Sequence, residues 1–282
     1  MPGTATDPEL DARLRETQRA FDSIASLYDG PRGNNAILKR MRRDLWRAVE
    51  REVPPGGHLL DLGCGPGIDA EHLASRGYRV TAIDWSPRMV EETLKRAKQA
   101  GLEGRMSAHA IGIHELDALV HEQFDGIYSD FGPLNCVPDL EAVARACAGR
   151  LRPGCKLIVS VMGRVVPWER LYYTLRGDLD RARVRDKRST VPVGLNRHTV
   201  WTAYYTPQEF YGYFKGGFAL SSYRGLGLFL PPPYLVDAYE RTPRVGSFLG
   251  WLDDQLAGLP LLRDAGDHFL MVMTRLAEGG RS

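Results

Sequence analysis

Apolar residues recur at helical spacing near the start of the chain and at strand spacing further on. Over residues 9–28, Leu10, Leu14, Phe21, Ile24, Ala25 and Tyr28 return at helix-like intervals with charges between them, which predicts an amphipathic helix. The turn signal Asp29-Gly30-Pro31 closes it. A second helix is predicted over 37–51, with Ile37, Met41, Leu45, Trp46 and Val49 on one side, and Pro54-Pro55-Gly56-Gly57 stops it. Buried strands and amphipathic helices then alternate. Strands are predicted at 58–62, 79–84, 105–111, 124–129 and 156–162, with helices at 68–76, 86–100 and 139–150 between them. Ser86 is placed to cap the second of these helices, with Pro87 at its first position. Strands separated by helix-length segments mean βαβ units and a parallel sheet.

After Gly163 this rhythm breaks. A helical piece over 167–179 leads to Thr190-Val191-Pro192-Val193 and then to a β-rich run over 198–205, with Gly194-Leu195-Asn196 as the turn of a hairpin. A short helix over 207–214 follows. Residues 218–229 and 268–276 read as two late strands, separated by Pro231-Pro232-Pro233 and further helices. The expected architecture is an α/β, Rossmann-like sheet of seven mostly parallel strands with helices on both faces, whose last two strands form a hairpin. Residues 1–57 form an N-terminal helical cap, 58–163 the core, 164–217 an inserted lid over the substrate, and 218–282 the strands that complete the sheet.

Composition narrows the class without naming a partner. At 282 residues the chain can bury a sizeable core, and 43% hydrophobic with 26% charged residues is ordinary for a globular protein. The net charge of +2 carries no footprint for nucleic acid. The local basic stretch Arg176, Arg181, Arg183, Arg185, Lys187 and Arg188 is diluted by Asp178, Asp180 and Asp186, as in a solvated helix end. Cys64, Cys136, Cys147 and Cys155 show neither CxxC pairing nor histidines at metal-ligand spacing, which suits reduced thiols and no metal. No apolar run is long enough to span a bilayer, and Asp7, Glu9, Asp11 and Arg13 deny the N-terminus a signal-peptide core. A cytoplasmic protein that does not engage membranes, monomeric or homodimeric, is expected.

The chemistry is concentrated in Asp61-Leu62-Gly63-Cys64-Gly65-Pro66-Gly67, where a strand gives way to a helix. Doubly wound folds bind nucleotides at this position. Glycines are needed because the backbone turns sharply and a side chain would collide with the ligand. A dinucleotide fingerprint places its third glycine where Ile68 stands, so the pattern here is G-x-G-x-G instead. Asp61, inside the strand before the turn, offers nothing to a pyrophosphate but suits a ligand that carries an ammonium group. Asp84 ends the second strand about 20 residues after the glycine turn, the placement of an acid that accepts ribose hydroxyls.

With these residues the chain resembles the class I S-adenosylmethionine-dependent methyltransferases. The resemblance rests on Asp61 to Gly67, on Ala82-Ile83-Asp84-Trp85-Ser86, and on Leu151-Arg152-Pro153-Gly154 before the fifth strand. Phe21-Asp22 through Tyr28-Asp29 looks like the helix that precedes the core in many small-molecule members. The resemblance implies a cofactor, S-adenosylmethionine, released as S-adenosylhomocysteine. Asp61, Gly63, Cys64 and Gly65 would meet its amino-acid end and ribose, Asp84 the ribose diol, and Trp85 and Met89 the adenine side. Ile111, Gly112 and Ile113, or His114, would serve the adenine amino group in place of the family's usual acid. Ser129 would close the site from strand four, and Tyr28 would shut over the methionine end or simply pack in the core.

The acceptor side is read from the end of strand four and from the lid. Ser129-Asp130-Phe131-Gly132-Pro133-Leu134-Asn135-Cys136 is not the Asn-Pro-Pro-Tyr type of sequence used on nucleic acid bases. Asp130 is a general base, a cofactor contact or a loop cap; Phe131 stacks on the cofactor or walls the site; Asn135 orients an acceptor or makes a turn. The lid contributes Arg197, His198, Tyr204 and Tyr205, with His198 the imidazole that titrates near neutrality and Tyr205 a second catalytic candidate. Asp267-His268, before the last strand, is either a base or a helix-to-strand loop. The expected function is methylation of a small organic molecule at oxygen, nitrogen or carbon in a biosynthetic setting. Competing readings are a methyltransferase of protein or RNA, a cofactor-binding module without turnover, and a nicotinamide dehydrogenase, which Ile68 and Asp61 oppose.

Overall fold

The computed structural model describes residues 8–30, 33–119 and 122–277. The first helix, α1 (Pro8–Asp22), gives way to a single 3-10 turn at Ala25–Leu27 instead of running on to Tyr28. It stops where the Asp22 carboxylate accepts from Ser86 Oγ (2.5 Å) and where Ser23 Oγ turns back to Ala20 O (2.7 Å). A local tertiary bond overrides the helical period. Of the turn predicted next, Pro31 lies outside the described residues. The second helix, α2 (Ala36–Glu52), begins at Asn35, whose side chain accepts from the amides of Ile37 and Leu38.

The alternating part follows as β1 (His58–Leu62), α3 (Ile68–Ser75), β2 (Arg79–Asp84), α4 (Pro87–Ala100), β3 (Met106–Ala110), β4 (Phe124–Ser129), α5 (Leu140–Arg150) and β5 (Leu151–Met162). Ser86 caps α4 through the Met89 amide with Pro87 in its first turn, and Gly101 ends it in a left-handed conformation. Strand β5 begins earlier than its apolar run, since Leu151 already pairs with Phe124 and the register shifts before Gly126. Beyond it lie α6 (Pro167–Leu175), α7 (Leu179–Ala182), the hairpin β6 (Val191–Leu195) and β7 (His198–Thr202), α8 (Pro207–Phe214), β8 (Phe218–Leu226), α9 (Val236–Arg241), α10 (Pro243–Leu256) and β9 (His268–Arg275). Gly177, at φ 74°, splits the helix predicted over 167–179, and Gly227, at φ 68°, ends β8 three residues early. The hairpin turns on Asn196-Arg197, both at positive φ, one residue later than the spacing predicted. A two-residue turn that matches the strand twist requires positive φ at both central positions, and Asn accepts that more readily than Leu.

Seven strands form one sheet in the order β3-β2-β1-β4-β5-β9-β8. The first five are parallel, and β9 runs antiparallel between β5 and β8. The last two strands do pair, although α9 and α10 stand between them in sequence. Both faces are covered, so each strand sends alternate side chains into two cores. Leu59, Val80, Tyr128 and Ile158 pack under α2, α3 and α4 with Ile37, Leu45, Leu73 and Val90. Leu60, Ile83, Ile127 and Val159 pack on the other face with Val143 of α5 and Phe210 and Phe214 of α8. The chain leaves β1 toward β2 and β3, then returns to β4 on β1's other side. That reversal opens a crevice beyond the carboxyl ends of β1 and β4. Among the described residues no helix is long and apolar enough to cross a membrane.

Candidate active site

A cavity of about 1130 Å³, its open mouth included, occupies this crevice. Its lining runs along the strand ends from Asp84 of β2, past the glycine turn and Asp130, to Met162 of β5. With neighbouring strands about 4.8 Å apart, that span is about 14 Å. It is roofed by α1 (Leu14, Thr17, Gln18, Phe21) and by Val200 of the hairpin. The two roof elements are tied together, since Trp201 donates its amide to Thr17 Oγ1 (3.2 Å) and its indole N–H to Glu16 (2.9 Å).

The glycines of the turn divide by purpose. Gly63, Gly65 and Gly67 all adopt positive φ. A Cβ on Gly63 would stand 2.3 Å from Pro133 and one on Gly67 would stand 2.9 Å from Thr93 and Met106, whereas one on Gly65 would meet nothing within 4 Å. Gly63 and Gly67 therefore serve packing, and Gly65 leaves room in the cavity that it lines. The turn's amides are already committed. Those of Gly63 and Cys64 donate to Ile83 O (2.9 Å each), that of Gly67 to Cys64 O (3.0 Å), and that of Gly65 to Asp84 Oδ2 (2.9 Å). Pro66 has none. A phosphate would need such amides aimed at it. This turn does not supply them.

Asp84 stands at the nucleoside end with Oδ2 on Gly65 N and Oδ1 on Ser86 N (2.8 Å). Each oxygen keeps a lone pair, enough to accept two adjacent hydroxyls. Burial pushes its carboxyl up to about 6, held from going higher by those two amides. Trp85, Met89, Ile113 and His114 provide flat and apolar walls beside it. The Trp85 and His114 rings meet edge to face at 4.7 Å, and burial keeps His114 below its ordinary value, hence neutral.

At the centre lies a polar cluster of Tyr28, Arg42, Asp69 and Asp130. Arg42 of α2 is 3% exposed, bonds Asp69 through Nη1, and has Asp130 Oδ2 at 3.9 Å. Trp46 Nε1 fixes the other Asp69 oxygen at 2.6 Å. Burial, and then the charge of Asp69, lift the Asp130 carboxyl to about 7 against the pull of Arg42. Burial disfavours the Arg42 charge, but the two carboxylates more than offset it. The Arg42 guanidinium also lies 4.7 Å over the ring of Phe131, whose backbone holds φ 54°. A side chain in that region is strained, a condition that clusters at functional sites.

The rest of the lining is mostly apolar: Leu14, Phe21, Pro133, Val137, Met162 and Val200, with Cys136, whose thiol burial pushes up to about 12.

Eleven of the residues predicted from sequence line the cavity: Tyr28, Gly63, Cys64, Gly65, Asp84, Trp85, Met89, Ile113, His114, Asp130 and Phe131. Others do not. Asp61 is 2% exposed beneath the turn and accepts the Tyr128 hydroxyl at 2.9 Å, and burial first, then Asp69, raise its carboxyl far above the usual range. Ser129 Oγ is spent on Leu62 O (2.7 Å). Asn135 is fully buried and stitches Met162 and Ala203 backbone groups together. Ile111 packs against the core beside Gly112, whose amide is bonded to Glu115. Between residues 164 and 217, Arg197 is exposed in the hairpin turn and His198 is half-buried at the outer end of β7. Tyr204 lies under the Arg185 guanidinium at 4.8 Å, and Tyr205 packs on Phe210 and Tyr213, with burial pushing its hydroxyl up to about 12. Arg42 and Asp69 went unnoticed. Their signal was a charge at position 42, one turn before Leu45 and two before Val49 on the apolar side of α2.

Residues 59–154 match the family model described as a methyltransferase domain. The ubiquinone biosynthesis O-methyltransferase of Xanthomonas axonopodis pv. citri is 34% identical over 156 residues, which are 55% of this chain and 61% of that protein. The matched segment thus spans less than two thirds of that relative's length. Among solved structures, Burkholderia thailandensis 1,6-didemethyltoxoflavin-N1-methyltransferase superposes with a TM-score of 0.57 at 17% identity, covering 98% of this chain and 94% of that one. The N-methyltransferase NodS of Bradyrhizobium japonicum gives 0.56 at 15% identity, covering 93% and 100%. These two share the fold. Residues 59–154 are thus similar to a methyltransferase domain, and the chain shares its fold with methyltransferases of known structure.

Proposed function

We propose that the protein binds S-adenosylmethionine along this crevice and passes its methyl group to a small, largely apolar organic acceptor. The observation that carries the choice of cofactor is the glycine turn itself. Its amides are consumed internally, while Gly65 leaves open space beside a carboxylate with free lone pairs. Such a site accepts a nucleoside without phosphate. S-adenosylmethionine, when bound, supplies a methyl group on a sulfonium that a nucleophile displaces directly.

Each part of the lining has a task. Asp84 takes the ribose diol, and Trp85, Met89 and Ile113 flank the base. The Arg42, Asp69 and Asp130 cluster carries both signs of charge, which matches the carboxylate and ammonium of a free amino acid. Asp130 then serves the cofactor, and Asp61, bonded to Tyr128, supports the turn from below. The apolar lining positions the acceptor over β4 and β5, where alignment of the reacting atoms supplies the rate. Residues 1–57 and 164–217 act as cap and lid, through α1 and the hairpin. The relatives' printed names include both O- and N-methyltransferases, and the acceptor atom here is one of oxygen, nitrogen or carbon. Free cysteines at all four positions fit a cytoplasmic enzyme.

Incubation with methyl-labelled S-adenosylmethionine and paired acceptors of equal size, phenols against hydroxybenzoates, tests the proposal. Label should pass to the uncharged member of each pair. Transfer only to charged acceptors, or to RNA or protein, would overturn the substrate class.

A further inference from the structure

One buried polar group near the cavity is left over. His268, the first residue of β9, stands opposite Met162 at the end of β5 and is 6% exposed. Its Nδ1 meets Asp267 Oδ2 at 3.0 Å, while its Nε2 is buried with no hydrogen-bond partner among the described residues. Asp267 is itself anchored from the lid, for Arg185 Nη2 bonds Asp267 Oδ1 at 2.8 Å and Glu169 Oε2 at 2.8 Å. Arg185 also holds the carbonyls of Gly163 (3.0 Å) and Asp267 (3.2 Å). An imidazole oriented by a carboxylate, with its other nitrogen unspent, is the arrangement of a proton acceptor.

One ring touches both it and the cavity. Phe131 lines the cavity and meets the His268 ring edge to face at 5.4 Å. Its strained backbone is followed by Gly132 at φ 85°, so this segment lies outside regular structure, in the kind of conformation that clusters at functional sites.

We infer that His268 is a catalytic residue, the proton acceptor of the methyl transfer, reached when the Phe131 ring turns aside. This rests on the methyl-transfer reading of the cavity and adds the residue that completes it. As the acceptor atom bonds to the methyl carbon, the carbon–sulfur bond breaks with its electron pair on sulfur. The acceptor's proton passes to Nε2, and Asp267 stabilises the imidazolium through Nδ1–H. The proton is released to solvent when the products leave.

The test is diethyl pyrocarbonate labelling of the whole protein saturated with S-adenosylhomocysteine, mapped by peptide mass spectrometry, with exposed His109 as internal standard. Labelling of His268 relative to His109 should be slow in the native protein. It should rise at least tenfold in Phe131→Gly, which suits the left-handed backbone, and in Phe131→Ala. An unchanged ratio in both variants overturns the inference. In parallel, His268→Gln should keep S-adenosylhomocysteine affinity within twofold; a larger loss would place His268 in cofactor binding and overturn its role as base. Failure of the native protein to bind S-adenosylhomocysteine is read separately by calorimetry, and defeats the methyl-transfer reading instead.

Discussion

Asp84 is buried, yet the ribose-binding role proposed for it requires a negative charge. Burial raises its carboxyl to about 6, above an unfolded value near 3.9. By linkage, the folded state holds this proton more tightly, so the stability Asp84 contributes is full below the unfolded value and is lost as pH rises through about 6. Cofactor affinity runs the other way. S-adenosylhomocysteine binding should weaken about tenfold between pH 7 and pH 5 as the carboxylate is neutralised, and Asp84→Asn should flatten that dependence. An equally steep loss in Asp84→Asn would assign the titration to Asp130. The glycines give a second contrast. Gly65→Ala places its methyl in open cavity, so it should cost only about 1 kcal/mol of backbone strain in a urea melt while weakening S-adenosylhomocysteine at least tenfold. Gly63→Ala drives a Cβ into Pro133 and should chiefly destabilise the fold. Equal losses of stability in the two would contradict the division. Asp84 and Gly65 were legible because the motif places them at a strand end and in a turn. Arg42 was not, because its partners Asp69 and Asp130 come from other elements, and spacing along one helix cannot show them.

Among the elements, α4 followed the pattern closely because Ser86 and Pro87 mark its start and Gly101 its end chemically. Boundaries slipped where tertiary contacts intervene, at Asp22 and in β5. Residues 164–217 were the least legible part. Their hairpin turn depends on Asn196 and Arg197 both taking positive φ, which only Asn favours. The structure therefore removes Arg197 from the cavity and leaves it strained. Arg197→Gly should stabilise the protein by about 1 kcal/mol in a denaturant melt and leave S-adenosylhomocysteine affinity unchanged. A loss of affinity would restore Arg197 to the site. The roof formed by α1 and β7 should also respond as one unit, since Trp201 joins them through Thr17 and Glu16. Amide hydrogen exchange should slow in both elements together when S-adenosylhomocysteine is added, and protection of either one alone would separate them.

For the molecule as a whole, the strand order creates the crevice and two-sided burial makes its floor rigid, so the ligand end of the sheet follows from topology. The parallel core was readable because strands buried on both faces appear as continuous apolar runs. The place of β9 between β5 and β8 is a long-range pairing, and it brings His268 from far along the chain to stand opposite Met162 and against Phe131, which line the cavity. Ligand binding should then stabilise the whole fold, by about 2.7 kcal/mol at a hundredfold excess over the dissociation constant. The most direct measurement is calorimetric titration of the native protein and Asp84→Ala with S-adenosylhomocysteine, followed by NAD. The structure predicts saturable one-site heat with the first ligand, at least tenfold weaker in the variant, and none with NAD. Silence toward S-adenosylhomocysteine alongside tight NAD binding would contradict it.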